Sequence, residues 1–266
     1  MKQITFLLLH LGYGGIETAT INTANALCKK YKVRLVSYYN LKENQTNLLD
    51  KSVEIKYIYN GEPNKEALVE SLKKFKILSF INELFKAIKI LINKKRLIIR
   101  EIKNDNSYAL ISTCVKFSIL LNKYGKKRTL KIAQEHHHHN NNKRYINRLK
   151  SYRNINYLFA LTSSLKEDYT KFLSDNKNLK IELMPNMIEN SNDIVSNLQS
   201  KNIISVARLH KDKRIDELIK IFSKIKNNNA KLYIVGEGEE RPKLEKLIAE
   251  LNLKNKVIMT GYLNKK

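Results

Sequence analysis

The sequence predicts an α/β protein built on parallel sheets, and three observations support this fold class. Short apolar runs alternate with segments of helical periodicity along the 266 residues, a pattern typical of repeated β-α-β units. Glycine-rich turns follow several predicted strands, such as residues 12–15 after the apolar run at 4–9. Apolar residues make up 42% of the chain, enough to bury a sizeable core.

The predicted first domain covers residues 1–190. It opens with a buried strand at 4–9 and a helix at 16–30 whose apolar positions lie near one face. A long basic helical region is predicted at 65–103. The remaining predicted elements are strands at 33–38, 53–59, 108–113, 130–134, 157–162 and 181–184, a part-loop, part-helix segment at 140–154, and a helix at 164–173.

The predicted second domain covers residues 191–266. Residues 185–200 lose the apolar period and are rich in Asn, Ser and Asp, which indicates an interdomain linker. After it, the sequence predicts strands at 203–206, 231–235 and 257–260, with helices at 215–226 and 239–251. So few strands make a small sheet, and the second domain is therefore expected to be incomplete.

The charge of the chain favours anionic partners. Fifty basic residues against 25 acidic residues leave a net charge of +25, which attracts nucleic acid, anionic membranes and phosphorylated small molecules. The sequence has no zinc-ligand spacing, no aromatic ribonucleoprotein motif and no recognition helix, and its basic residues are spread along the chain. We therefore expect no nucleic-acid partner.

The composition indicates a cytoplasmic protein. Cys28 and Cys114 lie far apart without metal-like spacing, which is typical of buried thiols in a reducing compartment. No secretory signal is evident, and no apolar stretch reaches the roughly 18 residues that span a bilayer.

The glycine turn Gly12-Tyr13-Gly14-Gly15 stands between the first predicted strand and helix, followed by Glu17. Glycines allow a ligand to approach the backbone closely, and the helix start offers free N–H groups to a phosphate or sugar. The spacing differs from the Gly-x-Gly-x-x-Gly pattern of dinucleotide sites. The alternative is a tight turn that requires positive φ angles.

Two further loops follow strands of the second domain. Arg208 and Lys213 lie after the first of these strands, where open α/β sheets bind ligands, and together they suit a pyrophosphate. The alternative is a solvated basic loop. Gly236-Glu237-Gly238 follows the next strand and permits close approach of a nucleotide, or is a plain turn whose glutamates complement the helix dipole.

Taken in order, these motifs resemble those of family 4 glycosyltransferases. The Gly-Gly-x-Glu turn, the Arg-x4-Lys loop and the Gly-Glu-Gly turn follow one another as in that family, and Glu135-His136, Pro185-Asn186 and Gly261-Tyr262 stand where it has similar residues. The resemblance covers nearly the whole chain. It implies the GT-B fold, with two Rossmann-like domains facing a cleft, the acceptor mainly on the first and the nucleotide-sugar mainly on the second.

The resemblance also implies roles for individual residues. His136, Arg208 and Lys213 would be catalytic: His136 would contact the transferred sugar, while Arg208 and Lys213 hold the donor diphosphate and neutralise the leaving group. The other implied site residues are Gly14 and Gly15 against donor phosphate or acceptor, Glu17 on the acceptor side, and Gly236 and Gly238 against the nucleotide.

The reaction that the resemblance implies is transfer with retention, from a nucleotide-diphosphate sugar to a glycan or lipid-linked acceptor in surface polysaccharide assembly. No cofactor or metal is expected, and no Asp-x-Asp motif occurs. The family's Glu-x7-Glu motif would lie beyond Lys266, so we expect a C-terminally truncated member. The alternative is a non-catalytic GT-B fragment or binding protein that needs a partner chain.

Four consecutive histidines, His136 to His139, could bind a metal. In an extended segment, however, alternate side chains point to opposite sides and make a poor single site. The position that matches the family favours His136 as the functional residue.

The segment at 72–100 interleaves basic and apolar residues near helical spacing. A basic amphipathic helix of this kind can lie on an anionic membrane surface, which would make the protein peripheral on the inner face of the cell membrane. The alternative is an ordinary helix that packs its apolar stripe on the sheet.

Overall fold

The computed structural model describes residues 1–136, 142–188, 199–226 and 229–263, and for Lys65 and Glu66 the backbone alone. The chain divides into two units, Met1–Ser191 and Asn192–Lys266. The predicted boundary between residues 190 and 191 and most of the predicted linker lie outside the described residues.

The first unit is a parallel sheet with helices on both faces. In the described part of this unit, seven strands pair in the order β3-β2-β1-β4-β5-β6-β7. The strands are β1 Gln3–Leu8, β2 Lys32–Tyr39, β3 Glu54–Tyr59, β4 Ala109–Ser112, β5 Leu130–Gln134, β6 Tyr157–Ala160 and β7 Lys180–Leu183. The helices are α1 Gly15–Leu27, α2 Lys65–Lys73, α3 Ile77–Asn104, α4 Val115–Tyr124, α5 Lys143–Lys150 and α6 Ser163–Phe172.

The central strands are buried on both faces, as expected for a parallel sheet. In β1, Leu7 belongs to one core cluster, whereas its neighbours Phe6 and Leu8 belong to the other. Successive side chains of a strand point to opposite faces, so one apolar run supplies both cores. The buried face of α1 centres on Ile21 and Ala24, both at 0% exposure.

Two parts of the predicted element order differ from the structure. The predicted helix at 65–103 is divided into α2 and α3 because Phe75 has a φ of 52°, in the left-handed region that ends a helix. Helix α4 was not predicted. It starts within three residues of the end of β4, so no turn signal separates the two apolar segments.

The described part of the second unit is a smaller parallel sheet with a single core cluster, and Ile204 and Val206 of its first strand are exposed. Its described strands are β8 Asn202–Val206, β9 Lys231–Val235 and β10 Val257–Gly261, parallel in the order β10-β9-β8, with helices α7 Ile215–Phe222 and α8 Arg241–Glu250. Its core is a separate cluster that includes Ile219, Leu232 and Ile234, all at 0% exposure. The α/β class and parallel sheets predicted from the sequence are confirmed.

Candidate functional site

The glycine turn of the first unit lies between β1 and α1, and a distant glutamine holds it in place. Gln45 Nε2 donates to Gly12 O at 2.7 Å. The hydroxyl of Thr18 lies 2.9 Å from Gly14 O and 3.0 Å from Gln45 Oε1. Gln45 was not predicted as a site residue, because no local motif marks it and its contact is made 33 residues away.

The glycines of this turn do not adopt positive φ angles, and the space around them differs from one position to the next. Among the described glycines, positive φ angles occur at Gly236 and Gly261 and not in this turn, so the positive-φ alternative is wrong. A Cβ at Gly14 would come within 2.2 Å of Glu17 Oε2, whereas one at Gly15 would meet nothing within 4 Å. Glu17 Oε1 lies 3.3 Å from His10 Nδ1, and its side chain is largely buried.

Beyond the end of β5 lies a fully buried carboxylate, that of Glu135. Three hydroxyl groups donate to it: Ser118 at 3.0 Å, Tyr152 at 2.8 Å and Tyr145 at 3.4 Å. Burial raises the pKa of Glu135 to about 7, and the three hydrogen bonds oppose this rise. His136 follows directly and is half-buried, while His137 to His139 lie outside the described residues.

These residues of the first unit share one edge of the sheet. Strands β1, β4 and β5 are neighbours, and the carboxyl ends of parallel strands lie at the same edge. The structure therefore brings Gly14, Gly15, Glu17 and His136 to the carboxyl edge of this sheet, where ligands of open α/β sheets bind.

Arg208 and Lys213 lie after β8 at the carboxyl edge of the second sheet, and both are exposed. Lys213 Nζ lies 3.6 Å from Asp212 Oδ2, whereas no carboxylate of the described chain forms an ion pair with Arg208. A short 3₁₀ turn, Lys211–Lys213, ends at Arg214. This residue has a φ of 51° and is the N-cap of α7. The loop thus presents two cations to solvent at the expected position.

His210 connects this loop with the loop that precedes α8. Its Nδ1 lies 2.5 Å from Asp212 Oδ1, and its Nε2 lies 3.2 Å from Glu239 Oε1. The hydrogen bond with His210 lowers the pKa of Asp212. This role of His210 was not predicted, because Glu239 reaches His210 only through the tertiary structure.

Gly236 and Gly238 allow two loops to pack backbone on backbone. A Cβ at Gly236 would lie 2.1 Å from Ala207 O, and one at Gly238 would lie 2.2 Å from Leu209 O. The Leu209 N–H donates to Glu237 O at 2.9 Å in the same contact. The glycines therefore have a packing reason in this structure, and close approach of a nucleotide to them stays a prediction.

The predicted site residues thus form two groups, one at the carboxyl edge of each sheet. Within the described ranges, no cluster of three or more His, Cys, Asp or Glu side chains has the geometry to hold a metal ion.

Helices α2 and α3 expose much apolar surface. Phe75, Leu78, Phe85 and Leu91 are 90%, 80%, 67% and 63% exposed, and lysines are interspersed among them. Residues of α3 that are fully buried occur in its last two turns, at Ile98 and Ile102. We call residues 69–92 the apolar–basic face. The alternative of a stripe packed on the sheet therefore describes α3 from Ile90 onward, where Ile90 and Leu97 also pack against the core. Among the described helices, none combines the length and apolarity needed to cross a bilayer.

Comparison with known proteins relates the chain to glycosyltransferases. Residues 186–266 match the family model of glycosyl transferases group 1. An α-1,4-N-acetyl-D-galactosaminyltransferase of Campylobacter jejuni, named for a glycan on PP-undecaprenol, is 26% identical over 96% of this chain and 67% of its own length. A second N-acetylgalactosaminyltransferase of the same organism is 24% identical over 99% of this chain and 70% of its own.

Solved structures share the fold. TarM of S. aureus, crystallised with fondaparinux, α-GlcNAc-glycerol and UDP, aligns with a TM-score of 0.73 at 16% identity, over 99% of this chain and 78% of its own. HepE of Anabaena with UDP-glucose aligns with a TM-score of 0.66 at 13% identity, over 99% and 70%. Residues 186–266 thus resemble glycosyl transferases group 1. The chain is similar to the two Campylobacter transferases over nearly its whole length, and it shares the GT-B fold of the solved structures.

Proposed function

We propose that the chain transfers a sugar, with retention, from a UDP-sugar to a lipid-linked glycan acceptor in surface polysaccharide assembly. The observation that carries the proposal is the exposed pair Arg208 and Lys213 at the carboxyl edge of the second sheet, inside the region that matches the family. The UDP bound by TarM and HepE supports the choice of nucleotide. The names of the Campylobacter relatives support the acceptor class.

The two cations fit a diphosphate for different reasons. The guanidinium of Arg208 can form two parallel hydrogen bonds to phosphate oxygens, while Lys213 acts as a compact point charge. Because negative charge grows on the diphosphate as the glycosidic bond breaks, fixed cations stabilise the transition state more than the bound donor. Transfer by this route needs no metal ion, since the two side chains neutralise the leaving group.

The acceptor side of the proposal lies in the first unit. His136 would contact the transferred sugar, and the backbone of Gly14 and Gly15 would approach the donor phosphate or the acceptor. Open space around the missing Cβ of Gly15 supports such an approach. Glu17 lies next to the same turn, where His10 holds its largely buried carboxylate, and we assign it to the acceptor side.

The test of the donor site is calorimetric titration of the full chain with UDP and with UDP-N-acetylgalactosamine. Arg208→Gln and Lys213→Gln should each weaken binding by about tenfold or more, the loss expected for a charge-assisted hydrogen bond. Lys224→Gln is the matched control, since it removes an exposed charge of the same unit outside this loop. A chelator should leave the affinity unchanged.

Two results would contradict this proposal: absence of UDP binding, or an equal loss in Lys224→Gln. A transfer assay on the same samples, with the anomeric configuration of the product read by NMR, tests retention. Binding without transfer would favour the alternative of a binding protein that needs a partner chain.

We further propose that the apolar–basic face docks on an anionic membrane, which would hold the protein at the inner face of the cell membrane. Exposed Phe75, Leu78 and Phe85 can enter the interface while the neighbouring lysines meet lipid phosphates. A contiguous exposed apolar patch of this kind is uncommon on a surface that stays in water.

Vesicle flotation tests the membrane proposal. Binding to phosphatidylcholine vesicles that contain phosphatidylglycerol should exceed binding to phosphatidylcholine alone and should fall with added salt. The triple variant Phe75→Ser, Leu78→Ser, Phe85→Ser should lose about tenfold or more in affinity. The control replaces three exposed apolar residues of the second unit, Ile204→Ser, Val206→Ser, Ile221→Ser; an equal loss there would overturn the proposal.

A further inference from the structure

A cationic cavity lies between α3, α4 and α5 of the first unit. It has a volume of about 280 Å³. Its lining includes Lys94, Lys95, Lys116 and Arg148, together with the apolar Leu91 and Phe117. We propose that this cavity binds the phosphate or diphosphate group of the acceptor; the assignment to the acceptor, though not the anion site itself, rests on the proposed function.

The charge of the cavity is uncompensated. Its four basic side chains come from three helices, and none of its lining residues is acidic. Among the described residues, none of the four takes part in an ion pair with a carboxylate. Lys94 and Arg148 are partly buried, whereas Lys95 and Lys116 are exposed. Neighbouring cations repel one another, and partly buried charges are normally paired. An anion in the cavity would remove both costs, and a phosphate group has the charge and the oxygens to contact several of these donors at once.

Lys94 shows that this charge is partly withdrawn from water. Its Nζ lies 4.9 Å and 4.8 Å from the ring centroids of Tyr38 and Tyr39, and 5.9 Å from that of Phe117. The aromatic faces stabilise the ammonium only in part. Burial lowers the pKa of Lys94 to about 8, and repulsion by Lys116 adds to this effect. The ammonium is therefore held in place by aromatic rings without a counterion.

The cavity lies at the edge of the sheet where the site of the first unit lies. Tyr38 and Tyr39 end β2, and Lys116 and Phe117 belong to the first turn of α4, directly after β4. Leu91, which is 63% exposed, belongs both to the cavity lining and to the apolar–basic face. The phosphate of a lipid-linked acceptor would thus contact the cations of the cavity. Its apolar chain would contact Leu91 and the apolar–basic face next to it.

The volume agrees with a headgroup rather than a whole lipid. Pockets for drug-sized ligands usually measure about 300 to 1,000 Å³, and this cavity, at about 280 Å³, is smaller. A diphosphate group would fit inside this volume. The sugar chain and the lipid chain of an acceptor would then extend outside the cavity.

The test is titration of the full chain with inorganic pyrophosphate. It is carried out in the Arg208→Gln, Lys213→Gln background, so that the proposed donor site does not contribute. Adding Lys94→Gln, Lys116→Gln and Arg148→Gln should weaken pyrophosphate binding by about tenfold or more. Adding Arg100→Gln, Lys123→Gln and Lys150→Gln instead removes the same charge from the same three helices outside the cavity and should have less than a twofold effect.

An equal loss in the two sets would overturn the proposal, since the binding would then come from diffuse positive charge. If the cavity triple variant fails to fold, Lys116→Gln with Arg148→Gln, which leaves the partly buried Lys94 in place, gives the same comparison. The effect of Arg208→Gln on UDP binding tests the donor site, and the cavity variants test the pyrophosphate site. Either proposal can therefore fail without the other.

A second arm distinguishes the source of the phosphate. A short prenyl diphosphate should bind more tightly than pyrophosphate, and Leu91→Ser should remove this difference, if the ligand carries a lipid. Equal affinities for the two probes would overturn the assignment to a lipid-linked acceptor and would assign the site to a water-soluble phosphate compound.

Discussion

The carboxyl edges of the two sheets use their polar residues in opposite ways. At the edge of the first sheet, Glu135 is buried with three hydroxyl donors, and Gln45 holds the glycine turn from within. At the edge of the second sheet, Arg208 and Lys213 are exposed. Around Glu135 and the glycine turn, the first edge is thus shaped by internal hydrogen bonds, whereas the loop at 208–213 of the second edge presents charge to solvent.

The difference shows that two similar sheets can serve a site in different ways, one by positioning residues and the other by supplying charge. Buried polar networks are rigid because an unsatisfied member costs free energy, so they can fix the position of a neighbouring residue such as His136. Exposed cations lose little hydration until a ligand arrives, so they can bind an anion without a prior cost to folding. The glycines of the two units differ as well. Gly15 of the first unit has open space around it, whereas Gly236 and Gly238 of the second unit lie against the backbone of a neighbouring loop.

The largest effect is expected from a matched pair of glycine replacements. Gly238→Ala places a Cβ 2.2 Å from Leu209 O, a backbone atom that is itself hydrogen-bonded. We expect a loss of at least about 3 kcal/mol in the free energy of unfolding. Gly15→Ala meets no atom within 4 Å, and we expect it to be neutral or to stabilise α1 by up to about 1 kcal/mol.

Urea denaturation of both variants measures these changes, and hydrogen exchange locates them. Faster exchange in Gly238→Ala should be concentrated in β8, β9 and α8. A wild-type stability of Gly238→Ala would show that the two loops can separate, and would favour close approach of a ligand as the reason for that glycine.

The second prediction concerns the buried carboxylate of the first unit. Burial raises the pKa of Glu135 from 4.5 to about 7, so the folded chain binds this proton more tightly than the unfolded chain. The free energy of unfolding should therefore fall as pH rises through this window, by up to about 3 kcal/mol, and stay low above it. Glu135→Gln should remove this dependence, leaving the variant more stable than wild type at the alkaline end.

Urea denaturation at a pH below 4.5 and at a pH above about 7 measures this change in the free energy of unfolding. Glu167→Gln is the control, because Glu167 is exposed on α6 and its replacement should keep the wild-type profile. A Glu135→Gln variant that still loses stability with rising pH would show that another group titrates, and that the hydroxyl donors keep Glu135 ionised at low cost.

Much of the fold was predictable because its signals are local. Apolar runs and helical periodicity predicted β5 and β9 with the bounds found in the structure, and most other elements within a few residues. Helix α4 and the break at Phe75 were not predicted, because one starts directly after a strand and the other rests on a single φ angle. Of the candidate site, the sequence predicted the edges at which residues such as Gly14 and Arg208 lie.

What the sequence by itself determined is therefore the α/β class, the order of the elements and the loops that carry the site, since these depend on neighbours along the chain. Only the tertiary structure decided which distant groups meet. Gln45 reaches Gly12, three hydroxyls surround Glu135, and Lys94 lies over Tyr38 and Tyr39. Hydrogen bonds and aromatic contacts of this kind act over a few ångströms in space, and no periodicity along the chain records them.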